Sequence, residues 1–375
     1  MNDEAEQMTP QALMHSIIQR VATGPELSKD ISFDEARAGI SAVLNGDISP
    51  VQSAIFLIAM RMKRETAEEN CGVLQGIIDV AGSVTADVDA VLDISDPYDG
   101  WNRGLPVAAF LPAVMSACGI ASISHGLDSV GPKYGATHRM VLKAAGKHVD
   151  LSPQQAARQM SQPNTGWAYL DQANYCPQLH HMVDFRAEMI KRTVLTTVEV
   201  LIGPVRGRNT THMMTGYVHK AYPPLYASLA RQAGFDSAMI VRGVEGGVIP
   251  SLQQKAKLFY YHDGGNEQDM LLNPLDIGIS QDTRCVPLPE GLQKTTKKGG
   301  GVAGKAEVQQ IAESAAAAGL EALNGQPGAA FDSLLYAGAI AWQHLHPDKT
   351  LADAAVVVKE ALSGGAALER FQNAA

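Results

Sequence analysis

No apolar run in this chain approaches the roughly 20 residues that cross a bilayer. Its 375 residues include only four cysteines, Cys71, Cys118, Cys176 and Cys285, none spaced as a C-x-x-C pair. The first absence argues against a spanning helix. The second argues against a disulfide framework and a thiolate zinc site, so the four thiols read as buried and free. Basic charge is short as well: 30 Lys and Arg stand against 39 Asp and Glu, a formal charge of −9. Such a balance disfavours indiscriminate nucleic-acid binding by the whole surface, although a local basic groove survives the average. The opening Met1-Asn2-Asp3-Glu4-Ala5-Glu6 is acidic where a secretory signal is basic, and a cytoplasmic location is the expectation.

What is present is enough to build a sizeable core: 46% of the residues are hydrophobic and 18% charged, which at this length means one large or two modest domains. Residues 9 to 80 read as helix after helix. Thr9-Pro10 supplies a cap and a first-turn proline, Ser32 with Glu35 and Thr66 with Glu69 have capping-box spacing, Ser49-Pro50 opens another helix, and Asn45-Gly46 closes one. From about residue 89 short β-branched runs alternate with helical stretches: Ala90 to Ser95, Ile120 to Ser124, His212 to Val218 and Ala238 to Arg242. That alternation predicts a mainly parallel sheet covered by helices. The expected architecture is α/β, with a small N-terminal helical domain over residues 1–88 and a larger α/β domain over 89–176 and 203–375. A helical return, Pro177 to Ile202, packs back on the first. Lys294 to Gly301 reads as a basic loop, and Lys305 to Leu323 and Leu351 to Phe371 as closing helices.

The most informative stretch runs from Asp93 through Asp96-Pro97-Tyr98-Asp99-Gly100-Trp101-Asn102-Arg103-Gly104, across the apolar Val107 to Ala117, to Ile120 to Ser124 and His125-Gly126. Strand, Gly/Asp-rich turn, buried helix and second strand are how an α/β protein builds an anion site at the carboxyl ends of parallel strands. His125 ends a strand, where it is either a ligand contact or a structural hydrogen-bonding residue. Lys133-Tyr134-Gly135 and His138-Arg139 lie beside glycines in the next loop. Asp96 and Asp99 each either cap the following helix or hold a ligand, with capping favoured for Asp96 and ligand contact for Asp99.

With these residues in hand, the chain resembles the anthranilate phosphoribosyltransferase family, glycosyltransferase family 3, over most of its length. Ser32 to Ala36, Leu44 to Pro50 and Ile58 to Lys63 are similar to its helical domain. His125-Gly126 matches its Lys-His-Gly-Asn, Gly203-Pro204 its Leu-Leu-Gly-Pro, Gly216-Tyr217-Val218-His219 its Gly-Val-Tyr-His, and Ala361 to Leu368 its closing motif. In place of the family's pyrophosphate-holding Gly-Thr-Gly-Gly-Asp stand Asp96-Pro97-Tyr98-Asp99, and its magnesium-holding Asp-Glu pair falls on Val248-Ile249.

The resemblance implies transfer of phosphoribose from phosphoribosyl pyrophosphate to a small aromatic amine such as anthranilate, with Mg2+ as cofactor and pairing of two copies through the helical domain. Such a reaction needs a neutralised pyrophosphate and a stabilised oxocarbenium-like centre. The substrate-binding candidates are Asp99, Gly100, Arg103, His125, Gly126, Lys133, His138, Arg139 and Arg186, with Arg242 nearby. Glu245 is a weak metal candidate. Arg186, in Phe185-Arg186-Ala187-Glu188, corresponds to the family residue facing the aromatic carboxylate, and it either lines the site or sits in a salt bridge. The alternative function is a non-catalytic member that binds single-stranded nucleic acid along Arg103, Lys133, Arg139, Arg206, Arg208, Lys297 and Lys298, with Trp101 and Tyr134 for stacking. Three stretches are set aside. Gly299 to Ala306 nearly spells a P-loop but lacks its terminal hydroxyl, and His180-His181 and His344-Leu345-His346 lack metal-ligand spacing.

Overall fold

Four capped helices begin the chain, each started by the residue its sequence offers. Thr9 caps α1 (Pro10–Val21), Ser49 caps α3 (Pro50–Lys63), and full capping boxes at Ser32/Glu35 and Thr66/Glu69 start α2 (Phe33–Leu44) and α4 (Ala67–Val80). A capping box satisfies two otherwise orphaned donors of the first turn. Helices α2 and α4 meet at backbone contact, because a Cβ on Gly72 would lie 2.3 Å from the Phe33 carbonyl oxygen and one on Gly76 2.4 Å from Ile40 Cγ2. The structure is a computed structural model describing residues 8–24, 26–292 and 305–375. The basic loop with Lys297 and Lys298 lies outside the described residues, as does nearly all of the P-loop-like stretch.

The short strands β1 (Val84–Thr85) and β5 (Val205–Arg206) pair in parallel and tie the end of the bundle to the chain's return. The main sheet has seven strands: β2 (Ala90–Ser95), β3 (Ser122–Gly126), β4 (Trp167–Asp171), β6 (Thr210–Gly216), β7 (Ser237–Val241), β8 (Ala256–Tyr261) and β9 (Gln268–Leu272). Their order is β4-β3-β2-β6-β7-β8-β9, with the first five parallel and the last two antiparallel. The direction of winding reverses between β2 and β6, so a crevice opens above their carboxyl ends. Asp93 and Ser95, near the end of β2, lie in register with Met213 and Thr215 of β6.

One face of the sheet shares a continuous apolar core with the helical bundle, in which Ile17, Phe56 and Leu74 join Val91, Ile123, Met213 and Ile240. Leu195, Val198 and Leu201 of the return segment belong to this core. The other face carries Leu92, Ile94, Met214 and Met239 against Phe110 of the turn Val107–Phe110 and against Leu334 and Phe371 of the C-terminal helices. The sequence reading has no counterpart for β4, β8 and β9, and three predicted boundaries differ. β3 runs two residues later than Ile120 to Ser124, which brings His125 and Gly126 into the strand itself. β6 begins two residues before His212. The Leu351 to Phe371 stretch is two helices, Leu351–Ser363 and Ala366–Asn373, parted at Gly365 with φ +80°. Among the described residues no helix is long and apolar enough to cross a membrane.

Candidate active site

Above the carboxyl ends of β2 and β6 lies a cavity of about 200 Å³, closed on one side by the end of α3 and on another by residues 192–200. Hydroxyls line it densely: Ser95, Thr193, Thr196, Thr197 and Thr215 contribute, with Tyr217, Tyr222 and Tyr226 as an aromatic wall. Arg61 and Arg192 supply positive charge, Asp99 and Glu245 negative. Arg61 lies 3.5 Å from Glu65 and shares the cavity wall with Tyr222; burial opposes its charge, but these neighbours raise its pKa. Asp99 Oδ2 accepts from Arg192. Glu245, held at φ +54°, accepts from the backbone N–H of Arg103 at 2.6 Å and of Asn102 at 3.2 Å, which fixes the loop after Gly100 against the end of β7.

The turn after β2 does not form an amide cradle. Pro97 has no N–H to offer, and the Asp96 and Tyr98 side chains turn inward. Burial alone pushes the Asp96 carboxyl up, but His138 at 3.3 Å, the Val248 N–H at 2.9 Å and Trp101 Nε1–H at 2.7 Å hold it below the usual range. The His138 contact is an ion-pair approach without hydrogen-bond geometry. The buried Trp101 indole fills the place where a Gly247 side chain would stand, 2.2 Å from its Cζ2. The gap left among Asp96, Trp101, His125, Gly126 and His138 is about 10 Å³, barely one water.

His125 belongs to a closed network. Its Nε2–H donates to Asp93 Oδ1 at 2.8 Å, its Nδ1 faces the Tyr98 hydroxyl, and Tyr98 meets Tyr175 at 2.6 Å. Burial drives both tyrosines well above their ordinary pKa. Ser95 Oγ–H also donates to Asp93 Oδ1, at 2.7 Å. In a nucleophilic triad the imidazole bridges hydroxyl and carboxylate through its two nitrogens. Here hydroxyl and imidazole donate to the same oxygen, so this arrangement does not activate Ser95.

The substrate-binding candidates named from the sequence do not all come together. Asp99, Gly100, Lys133 and Glu245 do meet beside the cavity, with the backbone of Arg103, whose side chain is exposed. His125, Gly126 and His138 surround the closed gap instead. Arg139 is held by Asp150 at 2.7 Å, Asp128 at 3.0 Å and Asp171 at 3.1 Å. Arg186 is buried with two guanidinium nitrogens each 2.6 Å from a Glu199 oxygen, the salt-bridge alternative. Arg242 is exposed at the end of β7.

Among the described residues a continuous nucleic-acid strip is not formed either. Arg206 donates to the carbonyls of Ile202, Ala233 and Gly234, Arg208 pairs with Asp87 and Asp89, and Trp101 is inside the fold. Sequence reasoning missed Arg61, Arg192 and the threonines. The available signal was the run Arg192-Thr193-Val194-Leu195-Thr196-Thr197, a cation followed by three hydroxyls.

The residue pattern of the glycosyl transferase family helical bundle domain matches residues 15–81, and that of its a/b domain matches 104–285. An anthranilate phosphoribosyltransferase of Nitrobacter hamburgensis is 25% identical over 96% of this chain and 97% of its own. The chain belongs to the anthranilate phosphoribosyltransferase-like glycosyl transferase family. An uncharacterized protein of Aquifex aeolicus is 30% identical over 59% of this chain and 65% of its own length. Among solved structures, the anthranilate phosphoribosyltransferase of Saccharomyces cerevisiae in complex with PRPP and Mg aligns with a TM-score of 0.74 at 16% identity, covering 97% of both chains. That of Thermus thermophilus aligns at 0.67 and 19%, covering 96% of this chain and 97% of its own.

In this member of the family the residues present do not fit a magnesium site. Val248 and Ile249, where the acid pair falls, are buried and apolar. Glu245 is engaged by two backbone N–H groups and Lys133. No group of three His, Cys, Asp or Glu residues suited to a metal occurs among the described residues.

Proposed function

We propose that this glycosyl transferase is a cytoplasmic phosphoribosyltransferase that moves phosphoribose from phosphoribosyl pyrophosphate to a small aromatic amine of the anthranilate type, within the cavity between α3 and the ends of β2 and β6. The observation that carries the reading is the cavity lining itself. Five side-chain hydroxyls and two carboxylates suit the hydroxyls of a pentose, two guanidinium groups suit phosphate, and three tyrosines suit an aromatic ring. Relatives over nearly the whole chain bear the anthranilate phosphoribosyltransferase name.

The bond to the pyrophosphate breaks as the bond to the amine forms, and Arg61 and Arg192 would stabilise the departing charge. Arg192→Ala should weaken phosphoribosyl pyrophosphate binding by about tenfold, about 1.4 kcal/mol. Titration calorimetry, paired with a coupled pyrophosphate-release assay over candidate aromatic amines, checks both halves of the proposal. Saturable binding without turnover of any amine would remove the reaction, and absence of binding would remove the site.

We also propose that two copies pair through the helical domain. Val51, Ile55 and Met62 are exposed large apolar residues at helical spacing on α3. Ile55→Asp should convert a dimer to a monomer by light scattering, and a wild type that is monomeric at high concentration would end this proposal.

A further inference from the structure

Asp99 follows β2, Glu245 follows β7, and the two acids meet across one cation. The Lys133 ammonium stands 3.1 Å from Glu245 Oε2 and 4.0 Å from Asp99 Oδ1, with the Lys133 side chain only 18% exposed. The arrangement is built in on every side. Asn102 Nδ2–H donates to the Lys133 carbonyl at 2.9 Å, Glu245 is pinned by the N–H groups of Asn102 and Arg103, and Arg192 holds the far oxygen of Asp99. A divalent ion would need these oxygens at about 2.0–2.6 Å in an open coordination sphere. They already face an ammonium.

We propose that Lys133, beside the cavity and against two of its lining acids, takes the electrostatic place of a divalent cation, so that the phosphorylated ligand binds without metal. The identity of that ligand rests on the reading given above. The charge balance is direct: Lys133 and Arg192 offset Asp99 and Glu245, so an incoming phosphate meets Arg61 and the hydroxyls without facing two uncompensated anions. An ammonium has three donors. Glu245 takes one at hydrogen-bonding distance, which leaves donors for a phosphate oxygen. The substitution also explains why Val248 and Ile249 can be apolar, since nothing remains for an acid pair to hold.

The test is calorimetric titration of phosphoribosyl pyrophosphate into the full chain with EDTA and with Mg2+. Wild-type affinity should change by less than about twofold between the two, Lys133→Met should lose about tenfold in EDTA and recover part of it in Mg2+, and Lys133→Arg should stay metal-independent. A wild type that binds only with Mg2+, or a Lys133→Met protein that binds as well as wild type in EDTA, overturns the proposal. A second arm needs no substrate. Electron paramagnetic resonance of added Mn2+ should show the ion free with wild type and captured by Lys133→Met. Capture by wild type that Glu245→Gln abolishes would overturn it. If wild type binds no phosphoribosyl pyrophosphate in either condition, the proposed reaction fails while the Mn2+ arm still decides the role of Lys133.

Discussion

Glu199→Ala should destabilise the folded chain by about 3–5 kcal/mol, the cost of stranding one member of a buried ion pair. Glu199 is fully buried, receives Arg186 through two hydrogen bonds of 2.6 Å, and also accepts from Gln172 Nε2 at 3.3 Å. Removing it leaves a guanidinium in the core shared by the bundle and the sheet, with no water to solvate it. Arg186→Ala should cost a similar amount by stranding the carboxylate. The double variant Arg186→Met/Glu199→Leu should cost less than either single change, because removing both charges also removes their desolvation penalty. Urea denaturation of the three variants measures this. An Arg186→Ala protein within about 1 kcal/mol of wild type that nonetheless loses its ligand would return Arg186 to the binding site.

That pair also shows where sequence reading stopped. The helices were legible because their starts are written locally: Ser32 with Glu35 and Thr66 with Glu69 fix capping geometry within four residues. Four of the five parallel strands were legible from their β-branched runs; β4, Trp167–Asp171, was not, because it contains no β-branched residue. β8 and β9 were not, since Ala256–Tyr261 and Gln268–Leu272 mix exposed and buried positions and end the sheet with a change of direction. The site was legible by position and not by partner. Asp99, Gly100, Lys133 and Glu245 do gather beside the cavity, yet whether a cation faces a ligand or a carboxylate depends on residues far along the chain. Arg186 finds Glu199 thirteen residues on, beyond the helix that carries it. Arg139 finds Asp128, Asp150 and Asp171 from three separate segments. Arg61 belongs to the bundle, and only the packing of α3 over the sheet brings it to the crevice. No spacing rule within one element carries that information.

Acidification should destabilise the protein through His344, well away from the cavity. His344 lies in the last turn of the helix Ala329–Leu345 and is 7% exposed, and its Nε2 meets Ser237 Oγ at 2.9 Å. The same hydroxyl meets His212 Nδ1 at 2.8 Å, and the His262 ring stacks on His344 at 4.1 Å. One hydroxyl can donate to at most one of the two imidazoles and accepts from the other or from both, so what disfavours a charged ring here is burial. Burial, helped by His262 and His212, pushes the His344 pKa down to about 3. Burial lowers His212 too, against the pull of Asp236 and Asp263. The carboxyl end of a helix favours a cation by about 0.3–1 kcal/mol, which burial here exceeds. An unfolded histidine titrates near 6.5. Between there and about 3 the unfolded chain takes a proton that the folded chain refuses, so this contribution is fully present above pH 6.5 and declines as pH falls, by about 1.4 kcal/mol per unit. Urea midpoints taken from neutral to acid pH should therefore fall more steeply for wild type than for His344→Gln, whose amide can still donate to Ser237 but takes no proton. Equal slopes would mean that His344 accepts its proton inside the fold, and the stacked His262 would then have to move away from a charged neighbour.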